Sequence, residues 1–149
     1  MPRFATSRDV AHSATDMFDL VADVGSYPSF VPLCEKLRVV ERKPAGETEI
    51  LVADMTVAYK LIRETFKSRV TLDRPNLQIT VEYLDGPFRH LHNRWSFHPT
   101  GEASCRVEFT IDYEFRSRTL GALMGAVFDR AFRRFAEAFE TRADLVYGA

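Results

Sequence analysis

The hydrophobic positions of this chain change period twice. Phe4 to Ala11 alternates weakly and reads as a short first strand. Ser13 with Asp16 three residues on resembles a capping box. Met17, Phe18, Leu20, Val21 and Val24 then recur at helical spacing until Gly25 stops them. The next stretch, Ser26-Tyr27-Pro28-Ser29-Phe30-Val31-Pro32-Leu33-Cys34, has two prolines four residues apart, which forbid a long helix or a central strand. Its side chains are too apolar for a solvated loop, so it must press Tyr27 and Phe30 against something. Two short helices are expected after the first strand, ahead of Lys36.

From Lys36 the period is 2. A strand begins at Leu37–Val39 or Val40 and turns near Pro44-Ala45-Gly46. Glu49 to Tyr59 carries Leu51, Ala53, Met55, Val57 and Tyr59 on one face. Leu61 to Asp73 carries Ile62, Phe66, Val70 and Leu72 on one side, opposite Arg63, Thr65, Lys67, Arg69 and Thr71. Arg74-Pro75-Asn76 and Asp85-Gly86-Pro87 are turn signals on either side of Leu77 to Tyr83. Leu91, Trp95 and Phe97 alternate with polar residues up to Pro99-Thr100-Gly101. The cleanest alternation is the last, Cys105 to Phe115. Such regularity over six consecutive strands predicts an antiparallel sheet with one wet and one buried face.

Arg118 to Tyr147 returns to helical spacing, with Leu120, Leu123, Met124, Val127, Phe128, Ala131, Phe132, Phe135 and Phe139 on one side. At 1.5 Å per residue this helix would run roughly 40 Å, the only element long enough to cover the sheet. The expected class is α+β: a curved antiparallel sheet of about seven strands around one long C-terminal helix. No charged residue lies between Leu120 and Phe128, and Gly121 and Gly125 sit one turn apart there. Each glycine costs on the order of 1 kcal/mol of helix propensity. Either they allow close packing, or they leave room for a ligand or a moving lid. The lid reading makes Leu120–Phe128 the cover of a cavity and the helix from Asp129 onward a structural clamp.

Composition narrows the partners. At 149 residues the chain reads as one domain, 1–149, able to bury about two-thirds of its unfolded surface. Twenty basic and 21 acidic residues provide no global attraction to DNA, RNA or an anionic membrane. Cys34 and Cys105 are far apart with no CxxC context, and free thiols in a reducing compartment are expected. No apolar run reaches the ~18–20 residues needed to span a bilayer. Met1-Pro2-Arg3-Phe4 carries no leader pattern, so a cytoplasmic protein is expected.

Candidate chemistry is sparse. Glu64, Ser68 and Asn93 fall in register with buried positions and are the polar candidates for a cavity wall. A carboxylate there must be wet or paired. Glu64 either reaches solvent near a strand end or orients a ligand's polar head at a cavity mouth. No partner residue equips it for general acid–base work. His90, His92 and His98 share the wet face, where a solvated row is favoured over a zinc site. Arg63, Lys67 and Arg69 form a basic stripe, by default a solvated strand face. Nucleophile elbows, Walker loops and GxGxxG patterns are absent.

Tyr27-Pro28-Ser29-Phe30-Val31-Pro32-Leu33-Cys34 after a helix containing Val21-Ala22-Asp23-Val24 resembles the Y-P-x-F-x-P-x-C signature of coenzyme Q-binding START-domain proteins. Gly86-Pro87-Phe88, Leu91, Asn93-Arg94-Trp95-Ser96-Phe97 and Ala138-Phe139-Glu140 with Arg142-Ala143 resemble the same family, in the same order. The resemblance implies a helix-grip (START/Bet v 1-like) fold with a hydrophobic tunnel. It also implies a non-enzymatic carrier of ubiquinone or another isoprenoid lipid, supporting respiration and ubiquinone biosynthesis, with no catalytic cofactor. The expected ligand-binding residues are Tyr27, Phe30, Val31, Met55, Phe66, Val70, Trp95, Phe97, Phe109, Leu123, Met124, Val127 and Phe128. Expected partners are the hydrophobic ligand and a transient membrane surface peripheral to the inner membrane. Related families imply two alternatives: a ribosome-association toxin on the large ribosomal subunit, and third, a polyketide cyclase or aromatase.

Overall fold

The computed structural model describes residues 3–148. Strand β1 (Arg3–Val10) leads to helix α1 (Ala14–Ala22) and a short 3-10 helix (Val24–Ser29). Six strands come next: β2 (Cys34–Ala45), β3 (Thr48–Tyr59), β4 (Ile62–Asp73), β5 (Gln78–Asp85), β6 (Phe88–Gly101) and β7 (Ser104–Phe115). Helix α2 (Arg118–Tyr147) ends the fold. The strands form one antiparallel sheet in the order β1-β7-β6-β5-β4-β3-β2. The sheet grips α2 on its concave face, the α+β arrangement expected from the alternation and the helix-grip form that the resemblance implies. The largest boundary differences are at β2 and β6. β2 starts three residues earlier than expected, at Cys34, and β6 runs from Phe88, because pairing to β3 and β7 holds residues whose own pattern is irregular.

Local chemistry sets the ends of the elements. Ser13 accepts a hydrogen bond from the Asp16 backbone N–H and caps α1. Ser117 does the same for α2 through Leu120 N–H at 3.1 Å. At the far end of α2, buried His12 meets Asp144 at 2.6 Å, and Tyr147 donates to the Asp16 carbonyl at 3.1 Å. These contacts tie the helix terminus to α1.

The buried stripe of α2 is Met124, Val127, Phe128, Ala131, Phe132, Ala136, Phe139 and Ala143. Beneath its N-terminal turns the aromatic rings are dense. Phe88 and Phe115 stack at 4.8 Å, and Phe128 packs on Phe115 at 5.2 Å. Phe66 and Tyr83 pack edge-on against Phe88 at 5.3 and 5.7 Å. This cluster fills the space that the lid reading assigned to a cavity.

The two glycines of α2 are not close-packed. A Cβ on Gly121 would reach Phe115 only at ordinary contact, 3.8 Å, and one on Gly125 would meet nothing within 4 Å. Gly86 is different. Its φ is +141°, and a Cβ there would lie 2.6 Å from Phe66 Cβ and 2.9 Å from Phe66 Cα. The β5–β6 turn is pressed onto the β4 backbone, and only glycine permits that approach.

The two kinds of glycine should respond oppositely to alanine. Gly125→Ala should stabilise the fold by about 0.5–1 kcal/mol through helix propensity. Gly86→Ala should cost on the order of 2–4 kcal/mol, lowering Tm by roughly 10 °C. Urea and thermal unfolding of the two variants check both signs.

Candidate functional site: an apolar cavity under the C-terminal helix

Alternation places one set of side chains from every central strand on the concave face. Where α2 does not fill the curve, a cavity of about 100 Å3 remains. The sheet supplies Met55 and Val57 from β3, Phe66, Ser68 and Val70 from β4, and Ile79 and Val81 from β5. Phe88, Leu91, Asn93 and Trp95 come from β6 and Ile111 from β7. The 3-10 helix and the loop after it add Val24, Tyr27, Val31, Pro32 and Leu33. Helix α2 closes the top with Phe128, Ala131, Phe132, Phe135 and Phe139. Ala131 stands within a row of phenylalanines, and its small side chain helps keep the space empty.

Nine of the residues expected to bind ligand lie on this wall: Tyr27, Val31, Met55, Phe66, Val70, Trp95, Phe128, and the polar Ser68 and Asn93. Phe30 is behind it, packed edge-on to Phe139 at 5.0 Å with the Arg142 guanidinium over its ring. Phe97 and Phe109 lie deeper in the core. Phe97 packs under α1 against Phe18, and Phe109 packs against Trp95 and Phe4. Met124 and Val127 are buried but do not reach the cavity, because the Phe88–Phe115 stack intervenes at that end of the helix. Leu123 is 59% exposed and belongs to the surface.

The expected division of α2 is therefore shifted: of the lid stretch Leu120–Phe128, only Phe128 reaches the cavity wall. The rest of the roof, Ala131, Phe132, Phe135 and Phe139, comes from the half expected to be a plain clamp. Inward alternation alone could have added Val57, Ile79, Val81, Leu91 and Ile111. Leu33 carried no such signal. It enters through a left-handed backbone, φ +68°, that turns the chain from the 3-10 helix into β2. That conformation costs a leucine roughly 1–2 kcal/mol.

Met55 and Val81 point to the concave face yet are only half-buried, as are Tyr59, Ile62 and Tyr83 beside them. The concave face is thus open to solvent over β3–β5, and this is the mouth of the cavity. Glu64 pairs across the ladder with Val57 at that mouth, half-exposed and without an ion pair among the described residues. It is wet, which removes the cost of an inward carboxylate.

Polar groups on the wall are few and partly committed. Tyr27 donates its hydroxyl to the Val21 carbonyl at 2.5 Å. Burial first, then the negative groups of Cys34 and Asp23, raise its pKa far above the usual range. Asn93 donates from Nδ2 to the Thr110 carbonyl at 2.8 Å. Burial also pushes the Cys34 thiol up to about 11, and burial followed by Asp9 does the same for Cys105. Both are therefore protonated thiols near neutral pH and poor nucleophiles. Among the described residues no group of three His, Cys, Asp or Glu side chains is placed to hold a metal ion.

Outside, the basic stripe of β4 is neutralised by its neighbours. Arg63 makes a two-pronged contact with Glu35 at 2.5 and 2.6 Å, which holds the Glu35 carboxyl below its ordinary pKa. Lys67 faces Asp54 at 3.9 Å, and Arg69 lies opposite Glu82 in the ladder. His98 contacts Glu108. The wet face is a mosaic of alternating charge and not a basic field.

The model of the family described as polyketide cyclase / dehydrase and lipid transport matches residues 10–140. The chain belongs to this family. A curated relative from Escherichia coli, named ribosome association toxin RatA, is 36% identical over 149 residues, covering all of this chain and 91% of that protein. The coenzyme Q-binding protein COQ10 homolog B of Xenopus laevis is 31% identical, covering 97% of this chain and 59% of that protein. The solution structure of an 18 kDa Caulobacter crescentus protein superposes over both chains in full, with 36% identity and a TM-score of 0.81. No helix among the described residues is long and apolar enough to cross a membrane.

The raised thiols make a prediction about pH. In the unfolded chain a cysteine ionises near its ordinary value of 9.0, whereas in the folded chain it stays neutral to about 11. Above pH ~9 the unfolded state loses protons that the folded state keeps, so stability should fall as pH rises from about 9 to 11. Urea midpoints across that range should drop for the wild type and drop less for a Cys34→Ala, Cys105→Ala variant.

Proposed function

We propose that the protein is a non-catalytic binder of a ring-bearing isoprenoid lipid, such as a prenylated quinone, held head-first in the cavity under α2. The observation that carries this reading is the wall itself. Apart from Ser68, Asn93 and the committed Tyr27 hydroxyl, every lining side chain is apolar, and none is an activated nucleophile, acid or base. A cyclase needs groups that move protons at the reacting carbons. This wall supplies none.

Size fixes what can enter. An apolar cavity of about 150 Å3 takes up benzene and stays dry otherwise. A cavity of about 100 Å3 admits a single ring or one branched unit, not a ring plus a polyprenyl chain. Burying an aromatic-sized head removes roughly 150–250 Å2 from water, worth about 4–6 kcal/mol. That corresponds to millimolar or somewhat better affinity before ordering costs. Useful retention therefore requires the tail to lie along the open concave strip at the mouth, over Tyr59, Ile62 and Tyr83.

The second reading, a ribosome-associated regulator, is favoured by one observation, the 36% identity over the whole chain to the protein named ribosome association toxin RatA. The charge mosaic on the sheet counts against a broad rRNA-binding face there. Co-sedimentation with large ribosomal subunits, retained at moderate salt, would put this reading first.

Extraction of the purified protein with organic solvent, followed by mass spectrometry, should recover a quinone or other prenyl lipid. Recovery of none after expression in a quinone-producing host would sink the carrier reading. Phe128→Glu, which places a carboxylate in the wall, should reduce retention at least tenfold. Leu123→Glu should leave both retention and stability within about 0.5 kcal/mol of wild type.

A further inference from the structure

The β3–β4 hairpin overhangs the rest of the sheet. β3 and β4 stay paired to the last residues, Tyr59 opposite Ile62, whereas β5 joins β4 only from Lys67. The β5–β6 turn covers Phe66 and Thr65, so three residues of β4, Ile62 to Glu64, roughly 10 Å of strand, project past it on the side of the cavity mouth. At the tip stand Lys60, with φ +55°, and Leu61, which is fully exposed and touches nothing. Turns of this kind favour Gly or Asn, so a lysine–leucine tip is locally unfavourable and needs another reason. Leu33, whose carbonyl accepts from the Ala58 N–H at 3.0 Å, lies beside the hairpin and also lines the cavity. An apolar path thus runs from the cavity past Leu33, Tyr59 and Ile62 to Leu61.

The charge around this tip is unbalanced. Glu35 is held by Arg63, and Glu64 faces the mouth, while Lys36 and Lys60 make no ion pair among the described residues. The Lys60 amine instead lies 5.3 Å from the centre of the Tyr59 ring. Three cations against two carboxylates, with an exposed leucine at the apex, complement an anionic lipid surface. We infer that the Lys60–Leu61 tip is a docking point for an anionic phospholipid bilayer, and that it sets the cavity mouth against the membrane so that a lipid passes along the Leu33–Tyr59–Ile62 strip without crossing water. This rests on the lipid-binding reading of the cavity. One leucine and one or two lysines provide only weak, salt-sensitive attachment, which suits a protein that must leave the membrane with its cargo.

Leu61 contacts nothing, so its substitution leaves the fold intact, checked by an unchanged Tm. The full-length protein is mixed with vesicles of phosphatidylcholine alone or with one-third phosphatidylglycerol. Wild type should co-sediment with the anionic vesicles, Leu61→Glu should bind roughly ten- to a hundredfold less, and Lys60→Gln about fivefold less. Leu61→Trp should show blue-shifted emission quenched by brominated acyl chains, against the constant signal of buried Trp95. Unchanged sedimentation of Leu61→Glu, or an unquenched Trp at 61, overturns the docking point, as does binding of the tip to ribosomal subunits with vesicles ignored. Loading with ubiquinone from ethanol separates the two claims. Leu61→Glu should still take up quinone from solution while losing uptake from vesicles. If wild type takes up no quinone by either route, the cavity reading fails while the vesicle result stands on its own.

Discussion

The structure depends on a mismatch of widths. Seven strands at about 4.8 Å spacing make a face some 30 Å or more across, and α2 with its side chains is only about 10–12 Å wide. The sheet must bury its apolar side, and one helix cannot cover it flat. Curling around the helix brings the edges in, and α1, the 3-10 helix and the loop after it close one end through Phe18, Tyr27 and Val31. The other end is plugged by the aromatic cluster centred on Phe88. What remains is the middle of the curve, under Ala131, where no side chain is large enough to reach.

That origin explains the chemistry of the cavity. Its wall is the hydrophobic face of the sheet itself, so its residues are those that drive folding; of the few polar groups, one sits at the wet mouth and another has a backbone partner. Glu64 illustrates the first case and Asn93 the second. Burial keeps the Cys34 and Cys105 thiols protonated near neutral pH. Apolar burial is non-directional, so such a wall selects by size and shape more than by functional group.

The same features bear on a family whose members carry unlike names. A cavity that follows from the mismatch of sheet and helix marks the fold more than the activity. The outer surface discriminates better. Here the sheet's wet face carries several cross-strand ion pairs, with Arg63 on Glu35 and Arg106 on Asp9 at 3.0 Å. The one fully exposed leucine among the described residues stands at the tip of an overhanging hairpin.

Alternation marked the strands, the antiparallel run of six and the buried side of β3 to β7, because a period of 2 leaves no freedom in the face a residue takes. It also placed Ser68 and Asn93 inward, and the helical spacing from Arg118 marked α2 as the cover. The chain read alone did not reveal where along α2 the cavity lies. The absence of charge from Leu120 to Phe128 looked like a lid, yet Leu123 is in solvent and the phenylalanines from 128 to 139 roof the cavity. Phe97 and Phe109 were likewise apolar and inward by pattern, but lie behind the wall. Periodicity reports the face of an element, a local property of backbone geometry. Whether the space beyond that face is filled depends on rings brought together from β4, β6, β7 and α2, and only tertiary packing decides that.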